Sequence, residues 1–183
     1  MLPEKFKWIE TIGTLPKLVA EALKYLGVKE VVGKGSNPVI ISMAKELGIE
    51  KEYSDDDLSW CALFINFLIK KVGKPMLNVG KDVYNYLRAK FMLNWGNPVA
   101  KGDEMFGDVL VFDREGGGHT GLYIAETGTT FFVLGGNQSN SVSFTEIPKS
   151  RLLGARRFYA TAAPESVKKY WMDSSGNLST NEA

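Results

Sequence analysis

The chain has 183 residues, 44% hydrophobic, 23% charged and 11% aromatic, which suits one globular domain with its own core and excludes disorder for its bulk. Lys and Arg number 22 against 21 Asp and Glu, a formal net charge of +1, so no global field draws a polyanion and nucleic acid is not an expected partner. The longest apolar stretch, Cys61 to Ile69, is broken by Asn66 and falls well short of the ~20 residues that span a bilayer, so no membrane insertion is expected.

The N-terminal segment MLPEKFKWIETIG mixes Glu4 and Glu10 with lysines and has no apolar h-region, which predicts a chain made in the cytoplasm without a signal peptide. Thr14 is placed to cap a first helix with Pro16 in its first turn. Leu15, Leu18, Val19, Ala22, Leu23 and Leu26 then recur at helical spacing up to Gly27. After a Gly-rich loop, Ser36 or Asn37 opens a second helix with Pro38 near its start. Ile40, Ile41, Ala44 and Leu47 share one face, and Gly48 is the stop. From Trp60 to Val72 apolar residues are too dense for a surface helix, which predicts a buried central helix ended by Gly73. A fourth, shorter helix is expected over 81–90, with Val83, Tyr84, Leu87 and Phe91 inward.

Beyond Pro98 the apolar residues arrive in short β-rich runs separated by Gly, Asn and Asp. Strands are expected over 108–112, 120–126, 130–134, 141–146 and 155–159, with turns at GGGH, TGTT and GGNQSN. Helices first and an antiparallel sheet second make the predicted fold class α+β. One domain is expected over 1–160, then a tail over 161–183 with a short helix near 166–171 and a frayed polar ending, SSGNLSTNEA.

One Cys excludes an intramolecular disulfide, and one Cys with one His cannot build a structural zinc site. A cysteine nucleophile needs a base, and only His119 offers an imidazole to Cys61. Cys61 falls in the first turn of the central helix, where unpaired amide hydrogens and the helix dipole favour a thiolate. A lone Cys in an apolar helix is more often a small buried hydrophobe, and a His beside glycines is as often a turn residue. Asn137, at the end of the strand after the one that His119 begins, has the chemistry to accept from the imidazole and fix its tautomer, though an isolated GGN is more often plain turn.

The joint pattern carries more than its parts. WCALFIN, GDVLVF, GGGHTGLYI and VLGGNQSNSV, in that order on helix and then sheet, resemble the papain-like cell-wall hydrolases of the CHAP and NlpC type. They look closest to a CHAP-like bacterial and phage subfamily reading WCAxFxN, GDxxVF, GHxG and LGGNQ, and the similarity begins at LPKLVAEALKYLGVKEVVG. The resemblance implies a papain-like fold with N-terminal helices packed on a C-terminal antiparallel sheet. It makes Cys61 the nucleophile, His119 the base and Asn137 the orienting residue, with Trp60, Gln138 and Glu30 as auxiliary positions. Its substrate would be an amide bond in the peptidoglycan stem peptide or at the glycan–peptide junction.

Such a protein, a phage lysin or an antibacterial effector, would act at the cell wall or periplasm after release by a holin, carriage by a phage or delivery by a secretion machine. An immunity protein is a further partner of the effector case. No cofactor and no metal are expected, since Asp55, Asp56 and Asp57 lack calcium-loop spacing and suit helix capping better. Where papain has a glutamine before its nucleophile, this chain reads KEYSDDDLSW, so the oxyanion donors would be the Cys61 amide with Ser59 or Tyr53. Ala62 and Leu63 stand where the NlpC pattern has Ser-Gly, which favours the CHAP-like side. Two alternatives stay open: a catalytically silent binding or structural module, and a Cys/His amidohydrolase acting on a protein.

Overall fold

Nine consecutive residues, Cys61 to Ile69, are buried and all but Asn66 are apolar or thiol-bearing, so the helix they form must lie between other layers. The computed structural model describes residues 1–173 and Leu178 and places this helix, α3 (Cys61–Lys71), between α2 (Pro38–Leu47) on one side and the sheet on the other. The sheet consists of β1 (Asn97–Val99), β2 (Val109–Arg114), β3 (Gly117–Glu126), β4 (Thr130–Gln138), β5 (Ser141–Pro148) and β6 (Leu152–Arg157). Every pairing is antiparallel and the order is β1-β6-β2-β3-β4-β5. With α1 (Lys17–Leu23) also preceding it, the architecture is α+β.

Helix α2 matches its sequence signals. Asn37 Oδ1 accepts the Val39 amide hydrogen at 2.9 Å, and Gly48 ends the helix in the left-handed region at φ 74°. Helix α1 is shorter than its apolar spacing suggests, because Pro16 (ψ 135°) is itself the N-cap and Thr14 lies outside. The helix expected over 81–90 is instead a pair of 3-10 segments, Val83–Tyr86 and Ala89–Asn94, separated by extended backbone at Arg88. Three residues per turn turn the faces relative to an α-helix, so Tyr84 is exposed and Asn85 is the buried position. The sequence reading missed a 3-10 segment at Glu4–Glu10, whose Phe6 stacks on Phe144 at 4.0 Å, and the short edge strand β1.

Both hairpins that carry candidate residues are tighter than expected. Gly117 already pairs with Arg114, leaving only Glu115 and Gly116 in the turn that GGGH was expected to form. Gln138 pairs with Ser141, and the loop shrinks to Ser139 and Asn140, both at positive φ as a two-residue hairpin turn requires. Just before it a register shift between Gly135 and Gln138 puts Asn137 in the left-handed region at φ 54°.

No helix forms over 166–171. That segment runs extended because it completes the backbone pairing of the sheet's end: Phe106 N–H donates to Lys168, Glu126 N–H to Tyr170 and Met172 N–H to Glu126. Tyr170 and Met172 join the core, so these residues pack as part of the domain rather than as a tail. The ending expected to fray lies outside the described residues except Leu178, which bridges Met172. Among the described residues no helix is long and apolar enough to cross a membrane.

Candidate active site

Cys61 is the first residue of α3, preceded by Trp60 as an N-cap that offers no side-chain hydrogen bond. The Cys61 amide hydrogen therefore has no acceptor within the helix and faces the same end as the thiol. The acidic run does not cap this helix, contrary to expectation. Asp56 is fully buried and accepts from the backbone of Val31 (3.1 Å) and Asn37 (2.7 Å), while Asp55 accepts from Ser36 and from the Asp57 amide. The run thus ties the 31–37 loop to the entry of α3. The carboxylates of Asp55, Asp56 and Asp57 lie within 4.8 Å of one another, the one such grouping of three or more potential metal ligands among the described residues.

The thiol is 1% exposed and meets the imidazole of His119, itself 5% exposed. Burial alone would push the Cys61 thiol up. The hydrogen bond from His119, its positive charge, the Thr120 amide hydrogen and the Ser59 hydroxyl together outweigh that and hold the thiol below its ordinary range. Ser59 Oγ stands 3.9 Å from Cys61 Sγ. Strand pairing fixes the imidazole from behind: His119 lies opposite Phe112, whose ring stacks on it at 6.5 Å and 24°. Tyr53, considered as an oxyanion donor, is fully buried and donates to the Leu58 carbonyl instead, so it does not reach the thiol.

The amide that meets the imidazole is Gln138, not Asn137. His119 Nε2 lies 3.0 Å from Gln138 Oε1. Gln138 Nε2 donates to the carbonyls of Val133 (3.1 Å) and Ser143, so its oxygen is the atom turned to the ring. An amide oxygen only accepts, so Nε2 carries the proton and Nδ1 is left to meet the thiol. Asn137, turned away by the bulge, joins a second cluster with Glu30 and Trp60. Its amide lies between Glu30 Oε1 and the Trp60 amide hydrogen, each 3.2 Å away, and the orientation that satisfies both turns Nδ2 to the carboxylate and Oδ1 to the Trp60 N–H. The Trp60 indole N–H donates to the same Glu30 oxygen at 2.6 Å. This cluster pins the residue before Cys61 to the sheet, and Gly136 permits it, since a Cβ there would come 2.6 Å from the Trp60 ring.

A groove of about 330 Å³ opens over Cys61 and Ser59, walled by 87–90 on one side and by the β2–β3 hairpin on the other. Arg88, Lys90 and Arg114 line it. Nothing in the sequence singled these cations out, because they belong to an unremarkable scatter of surface charges until the hairpin and the 3-10 pair meet. Asn66 holds that wall: its Nδ2 donates to the carbonyls of Ala62 (3.0 Å) and Tyr86 (3.1 Å), linking α3 to the segment that carries Arg88.

No family model matches the chain, and no curated protein sequence matches it.

Proposed function

We propose that the chain is a papain-like cysteine amidohydrolase that cleaves an amide bond in peptidoglycan, with Cys61 as nucleophile, His119 as base and then acid, and Gln138 as the residue that orients the imidazole. The observation that carries this reading is the relay itself: a helix-start thiol held below its ordinary pKa by the adjoining imidazole, whose Nε2 is fixed at 3.0 Å by an amide oxygen. Nδ1 takes the thiol proton, and the thiolate attacks the scissile carbonyl to form a tetrahedral adduct. The Cys61 amide hydrogen and the Ser59 hydroxyl are the donors at hand for the oxyanion. Proton return from His119 expels the amine and leaves a thioester, which water then hydrolyses with His119 again as base.

The wall substrate rests on the CHAP-like motifs that carry Trp60, Cys61, His119, Asn137 and Gln138, and with it come delivery by a phage, a holin or a secretion machine and inhibition by an immunity protein. The test is mass analysis of purified cell walls digested by the wild-type protein and by Cys61→Ala. New amino or carboxyl termini that appear with the first and not with the second are the expected result. Equal release by both overturns the mechanism.

One observation favours a second reading, a silent binding module: the thiol is only 1% exposed. Alkylation separates the two, since a reactive centre gives fast iodoacetamide labelling with a lowered apparent pKa and a silent one does not.

A further inference from the structure

The groove over Cys61 is chemically one-sided. In a chain whose charges balance to +1, Arg88, Lys90 and Arg114 all line it and no carboxylate does. The acids that pair with these cations are not among the lining residues, and Glu115 stands exposed in the hairpin turn beside Arg114. Asp82 holds Arg88 Nη1 at 2.5 Å, and Asp113 holds Lys90 Nζ at 2.7 Å, both in exposed pairs that water screens. Arg114, on the hairpin, makes no ion pair among the described residues. Lys90 is kept beside the hairpin by close packing, because Gly118 leaves no side chain between them: a Cβ there would come 2.9 Å from Lys90 Cγ. Guanidinium groups bind planar carboxylates through paired N–H donors, and cations gathered at a cleft raise the local concentration of anions.

We infer that this groove is an anion subsite of the same centre. It seats a carboxylate of the substrate among Arg88, Lys90 and Arg114 while the scissile carbonyl lies over Cys61. The preferred substrate is therefore an acidic peptide whose carboxylate is free rather than amidated. The inference rests on the amidohydrolase reading, whose substrate it narrows.

The test is the ratio of alkylation rates of Cys61 in the native protein by iodoacetate, which carries a carboxylate, and by iodoacetamide, its neutral counterpart. In both reactions the thiolate displaces iodide, so the ratio cancels the thiolate fraction and reports the field at the sulfur. The ratio should exceed that of a small free thiol by about three- to tenfold at low salt and approach it in 1 M salt. It should fall by about 1.5- to twofold in each of Arg88→Gln and Arg114→Gln. A ratio equal to the free thiol, or unmoved in both variants, overturns the anion subsite while leaving a reactive thiol in place. Failure of both reagents to label Cys61 overturns the amidohydrolase reading and the subsite with it.

Discussion

Two buried polar clusters lie at opposite ends of the β2–β3 pair, and they are built to different ends. Just before β2, Asp108 accepts from Arg157 Nε at 2.6 Å, from Arg157 Nη2 at 2.7 Å and from the Met105 amide hydrogen at 2.8 Å, while Arg157 also donates to the Asp103 carbonyl. Burial holds the Asp108 carboxyl above its ordinary range, and the guanidinium and the Met105 amide offset only part of that. Arg157 itself is raised, first by its hydrogen bond to Asp108. Around Asp108 each oxygen has found a donor, and the result is a clamp between β6 and the entry of β2. At the other end Cys61 adjoins His119, whose Nε2–H is held by the Gln138 amide oxygen so that Nδ1 is left for a proton, and the Cys61 amide hydrogen is left without a helical partner. A cluster with every valence filled resists change, whereas one with a proton to pass and a donor to spare can do chemistry.

Substitutions at the two ends should separate these roles. The largest effect is expected from Cys61→Ala, which should lower amide cleavage by about 10⁴-fold or more and move stability by about 1 kcal/mol or less, read by wall digestion beside urea unfolding. Next comes the contrast between adjacent amides. Gln138→Ala should reduce kcat by about 10²-fold or more by releasing the tautomer, while Asn137→Ala should cost less than about tenfold, because it acts on the placement of Trp60 rather than on the imidazole. If the two effects are reversed, Asn137 is the orienting residue after all.

Asp108→Ala should do the opposite of Cys61→Ala. It strands a partly wet guanidinium and should cost about 2–3 kcal/mol of stability, less than a fully buried pair would, with little change in the alkylation of Cys61. The smallest effects concern pH. Because the His119 hydrogen bond and charge lower the Cys61 thiol against its burial, His119→Ala should move the midpoint of iodoacetamide labelling to higher pH and reduce labelling at neutrality. Ser59→Ala should shift it in the same direction by less than about one unit. The folded thiol titrates below the unfolded one, so its contribution to stability is present above the unfolded value and declines as pH falls through the folded one.

The two ends also differ in how far the sequence reveals them. Cys61 at a helix start and His119 on a strand are local facts: the apolar density after Trp60 and the β-run after three glycines place each on its element without any partner. The α+β order and the cap pair of α2 are local in the same sense, since Asn37 and Gly48 act within a residue or two of themselves. Which amide meets His119 is not local. Asn137 and Gln138 are neighbours in the chain, and only the bulge that puts Asn137 at φ 54° sends the two side chains to different clusters. The Asp108–Arg157 clamp joins residues 49 apart, and no spacing rule points from one to the other.

What the sequence determined by itself, then, is the character of α2, α3 and the long strands and the identity of the thiol and the imidazole, because side-chain periodicity and capping act over one or two turns. The tertiary structure decided the rest: that Asp56 ties a loop instead of capping a helix, that the segment near 166–171 extends along the sheet, that Gln138 holds the imidazole, and that three scattered cations line one groove. Each of these depends on backbone register and on pairing between distant segments, where the need to satisfy buried donors and acceptors outweighs local preference.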